Sequence, residues 1–235
     1  LKGAIEKGEM GKLEVALKTK SVIANVYIET DEPVYAKYMG NKLCFPVGKF
    51  NVTLCTGSLK YAMEHGHIKS VNFGLYYNRS FIFTEFIDYL WSKRFDYAEQ
   101  KNLIMSTICK KLMNSLYGKF VEKHKHLIDS AKIPKGQWFI ENWRDVDKGI
   151  NCQTIEMFGV RKVYSGFDNA PNSMISISSH ITDYARLELW NYLKICGLEN
   201  VYYCDTDSII TTKRIAESKL KDVIGDSLGL LKVEE

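Results

Sequence analysis

The sequence predicts an α+β fold, in which antiparallel strands pair over long range and helices pack on them. Three observations carry that expectation. Period-two apolar alternations recur between residues 22 and 77, two amphipathic helix patterns joined by a short link follow, and a long helix pattern runs into a compact hairpin near the end. With 235 residues and 46% hydrophobic content the chain can bury a real core, as one domain or two small ones.

Alternation in Val22 to Glu29 and in Val34 to Tyr38 predicts a hairpin closed by Thr30-Asp31-Glu32-Pro33, with further strands near Leu43–Phe45 and Val52–Cys55. Ser58 to Glu64 reads as a short helix ended by Gly66, and Ile68 to Tyr77 as the strand behind it. Phe83, Phe86, Ile87 and Leu90, spaced i, i+3, i+4, i+7, make an amphipathic helix ending near Lys93-Arg94. A second helix spans Asn102 to Tyr117, and the short link makes the two antiparallel neighbours. Val121 to Asn169 is longer than an ordinary connection, so it is expected to be an inserted lobe. From Asn172 a helix runs through Ile181, Tyr184, Ala185, Leu187, Leu189, Tyr192 and Leu193 and stops at Gly197. The organisation is thus 1–80, 81–120, 121–170 and 171–235.

Composition narrows the function less. The net charge of +4 neither demands nor excludes nucleic acid, although lysines cluster at Lys12–Lys20, Lys93–Lys101, Lys110–Lys125 and Lys213–Lys221. The six cysteines contain no Cys-x2-Cys pair, which argues against zinc and a disulfide framework and for a reducing compartment. His65-x-His67 and His124-x-His126 lack further ligands at metal spacing and read as surface loops. No apolar run approaches the roughly 18 residues of a membrane span, and the N-terminus is not a signal peptide. The chain begins at Leu1, so something is expected to precede it, or a tag to have been removed.

The chemistry concentrates in two stretches. In Tyr203-Cys204-Asp205-Thr206-Asp207-Ser208 two carboxylates one residue apart sit in a tight turn between apolar runs, where both can hold divalent metal. A polar hairpin turn would explain the same pattern. A calcium loop would not, since Ile209 and Ile210 stand where it needs an oxygen ligand and a glycine. In Lys110 to Gly118, at about 100° per residue, Lys110, Asn114 and Tyr117 fall within about 60° of each other on a helix, opposite Ile104, Met105, Ile108, Leu112 and Leu116. One side is for packing. The other offers an ammonium for phosphate, an amide and an aromatic ring, with Gly118 beyond, where a helix end or the close approach of another chain wants no side chain.

Lys-x3-Asn-Ser-x-Tyr-Gly followed by Tyr-x-Asp-Thr-Asp-Ser resembles family B DNA polymerases. The longer Lys-Leu-Met-Asn-Ser-Leu-Tyr-Gly-Lys-Phe, Lys111 to Phe120, is most similar to their protein-primed branch from phages and linear plasmids. The likeness implies part of a right-hand polymerase, with a palm of antiparallel sheet and packed helices (1–80 and 171–235) and two antiparallel fingers helices (81–120). In the family Lys110 would contact the incoming triphosphate, Asn114 and Tyr117 would line its sugar and base, and Asp205 and Asp207 would bind catalytic Mg2+. The fingers usually carry triphosphate-gripping cations on both helices; Lys93 and Arg94 are the candidates here, with Lys101 kept only if its helix starts after it. Gly118 and Lys119 are implied DNA contacts, and Lys232, in a segment resembling the primer-contacting stretch, would touch the primer strand. The implied partners are primer-template DNA, deoxynucleoside triphosphates and a terminal priming protein, with no membrane. An insertion at the place of 121–170 helps encircle the template in this branch; a lineage-specific surface elaboration is the other reading.

The sequence departs from the family in two places. The first carboxylate motif, an Asp followed by a Ser-Leu-Tyr-Pro-like stretch, is absent, Asp31 having the wrong neighbours, and the thumb and any exonuclease domain are missing. In addition, Leu231 replaces an expected aromatic. The function expected is nucleotidyl transfer to a primer 3′-hydroxyl by a DNA-directed DNA polymerase, the chain by itself being inactive because only one carboxylate segment is present. The alternative is a non-catalytic nucleic-acid-binding remnant of such an enzyme; a reverse transcriptase-like palm is remote, because Thr206 separates the two aspartates.

Overall fold

The computed structural model describes residues 2–136, 138–170, 173–225 and 227–234. The chain divides into two units, one formed by 1–113 with 176–235 and the other by 114–175.

The first unit begins with β1 (Gly3–Ile5), α1 (Met10–Thr19) and the long strand β2 (Lys20–Thr30). A small hairpin, β3 (Lys37–Met39) and β4 (Lys42–Cys44), is followed by β5 (Gly48–Cys55), α2 (Thr56–Glu64) and β6 (Ile68–Asn78). β1, β6, β2 and β5, in that order, make an antiparallel sheet. β2 has strict period two: Val22, Ala24, Val26 and Ile28 are buried, and Ile23, Asn25 and Tyr27 between them are half-buried. Leu13, Ala16 and Leu17 of α1, Leu59 and Ala62 of α2 and Trp190 close on the inner face. Each such large apolar side chain contributes about 1.5–3 kcal/mol on burial.

The hairpin expected between 22–29 and 34–38 does not form, since β2 takes β5 and β6 as partners. Two local causes are visible. Thr30 Oγ1 accepts the Glu32 N–H at 3.0 Å and turns the chain. Val34 and Tyr35, adjacent in sequence, are both buried, which one face of a strand cannot provide. Tyr35 instead plugs the core and its hydroxyl meets His67 Nδ1 at 2.7 Å. His67 is therefore a buried core residue rather than part of a surface loop, while His65 is exposed and stacks on Tyr61 at 3.9 Å between ring centroids.

α3 (Thr84–Glu99) runs past Lys93-Arg94, because no glycine or proline interrupts Phe95 to Glu99. After a link at 100–102, α4 (Leu103–Lys119) starts where Asn102 Oδ1 accepts the Met105 N–H. Lys101 lies in that link with φ 57°, before the helix. α5 (Ile175–Cys196) ends at Gly197, whose φ of 80° only glycine adopts freely. The expected start at Asn172 lies outside the described residues. β11 (Val201–Asp205) and β12 (Ser208–Thr211) then form a hairpin, and α6 (Lys213–Lys219) follows, its first turn capped by Thr212 Oγ1.

In the second unit β7 (Lys123–Lys132), β8 (Phe139–Asp145), β9 (Ile150–Met157) and β10 (Val160–Asn169) pair antiparallel in the order β7-β10-β9-β8. Cys152 and Thr154 of β9 are buried, and Trp143 Nε1 donates to Thr154 Oγ1 at 2.9 Å. On the other face Lys125 donates to Gln153, and Gln153 Nε2 to Asn142 Oδ1 at 2.7 Å, which gives a polar ladder across the strands.

Burial holds the His67 imidazole below the ordinary histidine range. The unfolded chain then binds more protons than the folded one as the pH falls through about 6.5, so stability declines in that direction. The thermal midpoint should fall between about pH 7.5 and 5.5, and fall less in His67→Gln. Equal slopes for the two proteins would assign the pH dependence to other groups.

Candidate functional site

The hairpin of β11 and β12 places the two aspartates. Asp205 pairs with Ser208, leaving Thr206 and Asp207 as a two-residue turn in which Thr206 has φ 43°, the left-handed conformation tight hairpins require. Asp205 Oδ1 accepts the Thr206 hydroxyl at 3.0 Å, and the Asp205 carbonyl accepts the Ser208 hydroxyl at 3.1 Å. At the base, Thr211 Oγ1 donates to the Asn200 carbonyl at 2.8 Å. One face of the hairpin is anchored: Val201 and Ile209 pack on Tyr192 and Cys196 of α5, Ile215 of α6 and Leu220. The opposite face presents Tyr203 and Ile210, paired across the strands and 56% and 55% exposed.

Both carboxylates are exposed. A pair of hard oxygen donors one residue apart on an anchored turn suits a divalent cation such as Mg2+. Among the described residues no group of three or more His, Cys, Asp or Glu side chains forms a metal-sized cluster, so these two aspartates amount to part of a ligand set.

α4 carries Lys110, Asn114 and Tyr117 on one face, all exposed. Its other side differs from the sequence expectation. Ile104 and Leu112 are 75% and 47% exposed, and Ile108 is also open, whereas Cys109 is buried, with Met105, Met113 and Leu116 half-buried beside it. The protected strip is turned by roughly a quarter of the helix circumference, because the neighbours a helix meets, and not its apolar count, decide which side is covered. Gly118 lies within α4 rather than past its end, and a Cβ there would meet nothing within 4 Å.

The basic candidates are distributed over α3, α4 and the C-terminal segment. On α3, Lys93 Nζ bonds Asp96 at 2.9 Å, which holds the ammonium above the ordinary lysine range, and Arg94 lies over the Trp91 ring at 5.3 Å. Lys119 pairs with Glu122. Lys232 is exposed, next to Leu231, which joins the small core under the hairpin.

The sequence reading passed over the seam between α2 and α5. Asp183, buried, accepts the Ser58 N–H at 2.9 Å and the Ser58 hydroxyl at 2.6 Å. Thr56 Oγ1 meets His180 Nε2 at 2.9 Å, and the Tyr61 hydroxyl accepts from Trp190 Nε1 at 3.1 Å and Lys194 Nζ at 3.0 Å. The available signal was spacing, since Asp183, Leu187 and Trp190 stand at i, i+4, i+7 and so share one helix face.

The family model for DNA polymerase type B, organellar and viral, matches residues 4–194, a range that ends before the aspartate hairpin. Probable DNA polymerases of Ascobolus immersus and Neurospora intermedia are each 27% identical, over 196 and 208 residues, covering 83% of this chain but 16% and 20% of those proteins. The chain thus spans a fifth or less of the length of these curated relatives. Among solved structures, Phi29 DNA polymerase complexed with primer-template DNA matches 90% of the chain and 34% of that protein, at 19% identity and a TM-score of 0.52. The same polymerase with single-stranded DNA matches 89% of the chain, at 20% identity and a TM-score of 0.54.

Thiol chemistry reports on this hairpin directly. Cys204 is exposed beside Asp205, whereas Cys55 and Cys196 are buried, and burial pushes the Cys55 thiol up to about 12 and raises that of Cys196. Iodoacetamide should modify Cys204 first, Cys44 more slowly and the four buried thiols only on unfolding. Peptide mass spectrometry reads the order, and early labelling of Cys196 would contradict the packing under the hairpin.

Proposed function

Because the chain belongs to the organellar and viral type B DNA polymerases, we propose that it contributes triphosphate-binding helices and one metal-binding carboxylate pair to a DNA-directed DNA polymerase. The observation that carries the reading is the anchored hairpin with Asp205 and Asp207 exposed at its turn. The family resemblance supplies the roles of α4 and α3, and the exposure of Lys110, Asn114 and Tyr117 supports them.

In this reading Asp205 and Asp207 hold Mg2+, with a further aspartate from another segment completing the set. When bound, the metal pair supplies charge stabilisation at the attacking and leaving oxygens of an in-line displacement. Lys110 donates to the triphosphate of the incoming deoxynucleotide, while Asn114 and Tyr117 line its sugar and base. Lys93 and Arg94 assist from α3; the exposed Lys93–Asp96 pair is weak and gives way to a phosphate. Gly118, Lys119 and Lys232 approach the DNA, the first because its helix side is open to a neighbouring backbone.

The second unit is proposed to contact the template strand. Its polar face carries Lys125 and Arg144 beside Tyr164 around a cleft of about 590 Å³, a combination of cations and an aromatic ring suited to single strands. A terminal priming protein is a further proposed partner, on the resemblance to the protein-primed branch alone.

Primer extension with the full-length protein tests the assignment. Asp207→Ala should lower nucleotide incorporation by about a thousandfold or more while primer-template affinity stays within about twofold, because the carboxylate serves the metals and not the DNA backbone. Lys110→Ala should raise the KM for nucleotide by roughly tenfold to a hundredfold, the worth of a charge-assisted hydrogen bond. DNA binding without extension by the unmodified protein would favour a non-catalytic nucleic-acid-binding role, and unchanged incorporation by Asp207→Ala would remove that carboxylate from the metal site.

A further inference from the structure

The N-terminus of α2 is not capped by its own neighbourhood. Cys55 occupies the cap position and makes no side-chain cap bond. The first turn is satisfied instead from 125 residues away, by Asp183 of α5, which takes both the Ser58 N–H and the Ser58 hydroxyl. A local Ser, Thr or Asp would have capped α2 without reference to α5. Here the cap closes only when α5 lies in its seat.

Sterics make that seat narrow. A Cβ added at Gly57 would stand 2.9 Å from Tyr184 Cε1, 3.0 Å from Asp183 Oδ2 and 3.0 Å from Leu187 Cδ1. The two helices therefore meet at the van der Waals limit beside the carboxylate. Farther along, Trp190 and Lys194 bond the Tyr61 hydroxyl, which itself donates to Glu32 Oε2 at 2.5 Å. Beyond them, Tyr192 and Cys196 of the same helix support Val201 and Ile209 of the aspartate hairpin.

We propose that Asp183 is a positioning residue for nucleotide transfer: its bonds to the first turn of α2, at the Gly57 contact, set the tilt of α5 and thereby the place of Asp205 and Asp207. The catalytic part of this inference rests on the polymerase reading, and its geometric part does not. The lever is long. From Asp183 to Cys196 a helix rising 1.5 Å per residue spans about 20 Å, so a tilt of about 3° moves the hairpin end by about 1 Å. A displacement of that size can cost on the order of a hundredfold in rate. Desolvation raises the Asp183 pKa despite the two Ser58 bonds, so the ionised carboxylate is held in the seam against the cost of burial.

Three variants test the proposal. Asp183→Ala removes the acceptor, Gly57→Ala wedges the helices apart with the carboxylate intact, and Asp183→Asn keeps an acceptor for Ser58 while removing the charge. In the chain itself, amide hydrogen exchange at 203–210 should accelerate about fivefold or more in Asp183→Ala and Gly57→Ala with β2 and β6 unchanged, and return to within about twofold of the original in Asp183→Asn. In the full-length protein the first two variants should lower kcat by about tenfold or more with primer-template Kd within about twofold, and Asp183→Asn should restore it. Hairpin exchange that is unchanged, or that rises only in step with β2, would overturn the proposal. So would an Asp183→Asn protein as impaired as Asp183→Ala. If the unmodified protein extends no primer, the polymerase reading falls, and the exchange arm still decides whether Asp183 positions the hairpin.

Discussion

A buried carboxylate is an expensive group, and the seam between α2 and α5 is organised around one. Asp183 keeps its place because a backbone N–H and a hydroxyl of Ser58, on the first turn of α2, both donate to it, and a helix N-terminus favours negative charge. That bond pair joins two elements far apart in sequence, the helix lying against β2 and β5 and the helix that leads to the aspartate hairpin. Thr56 with His180, and Tyr61 with Trp190 and Lys194, extend the seam on either side of it. Shape and polarity act together there. Gly57 lets the helices approach until they touch, and the carboxylate fixes how they are rotated when they do.

The hairpin shows a different balance. Its underside is a small core of Tyr192, Cys196, Ile215 and Leu220, enough to hold a four-residue strand but not to bury both of its faces. Its upper face leaves Tyr203 and Ile210 open, and its turn leaves Asp205 and Asp207 open. The two exposed carboxylates are placed by a turn that fixes the backbone between them. Thr206 supplies it, with a left-handed φ and a hydroxyl that donates to Asp205. The local conformation is strained for a β-branched residue, and strain of this kind gathers where a site needs a set geometry.

The second unit stands on other physics. Its four strands are consecutive in the chain, β8, β9 and β10 pairing in turn and β7 closing on β10, and its interior contains Cys152 and Thr154 in place of a broad apolar layer. The polar ladder of Lys125, Gln153 and Asn142 leaves one face wet. A sheet built this way presents a surface rather than a core.

What the sequence determined alone was whatever rests on neighbours a few residues apart. Period two in Val22 to Ile28 announced a half-buried strand, the helical pattern from Asn102 to Tyr117 announced α4, and apolar residues on both sides of Asp-Thr-Asp announced a hairpin with both carboxylates at its turn. The polymerase likeness was legible for the same reason, since each motif is a short string on one element. Only the tertiary structure decided what depends on partners remote in the chain. It gave β2 to β5 and β6 instead of to Val34–Tyr38, sent Tyr35 and His67 into the core, and turned Cys109 rather than Ile108 of α4 away from solvent. It also put Asp183 against Ser58, a pairing invisible in sequence because nothing local to either residue calls for the other. Period and propensity describe one element at a time, and burial is a property of the neighbours that folding brings to it.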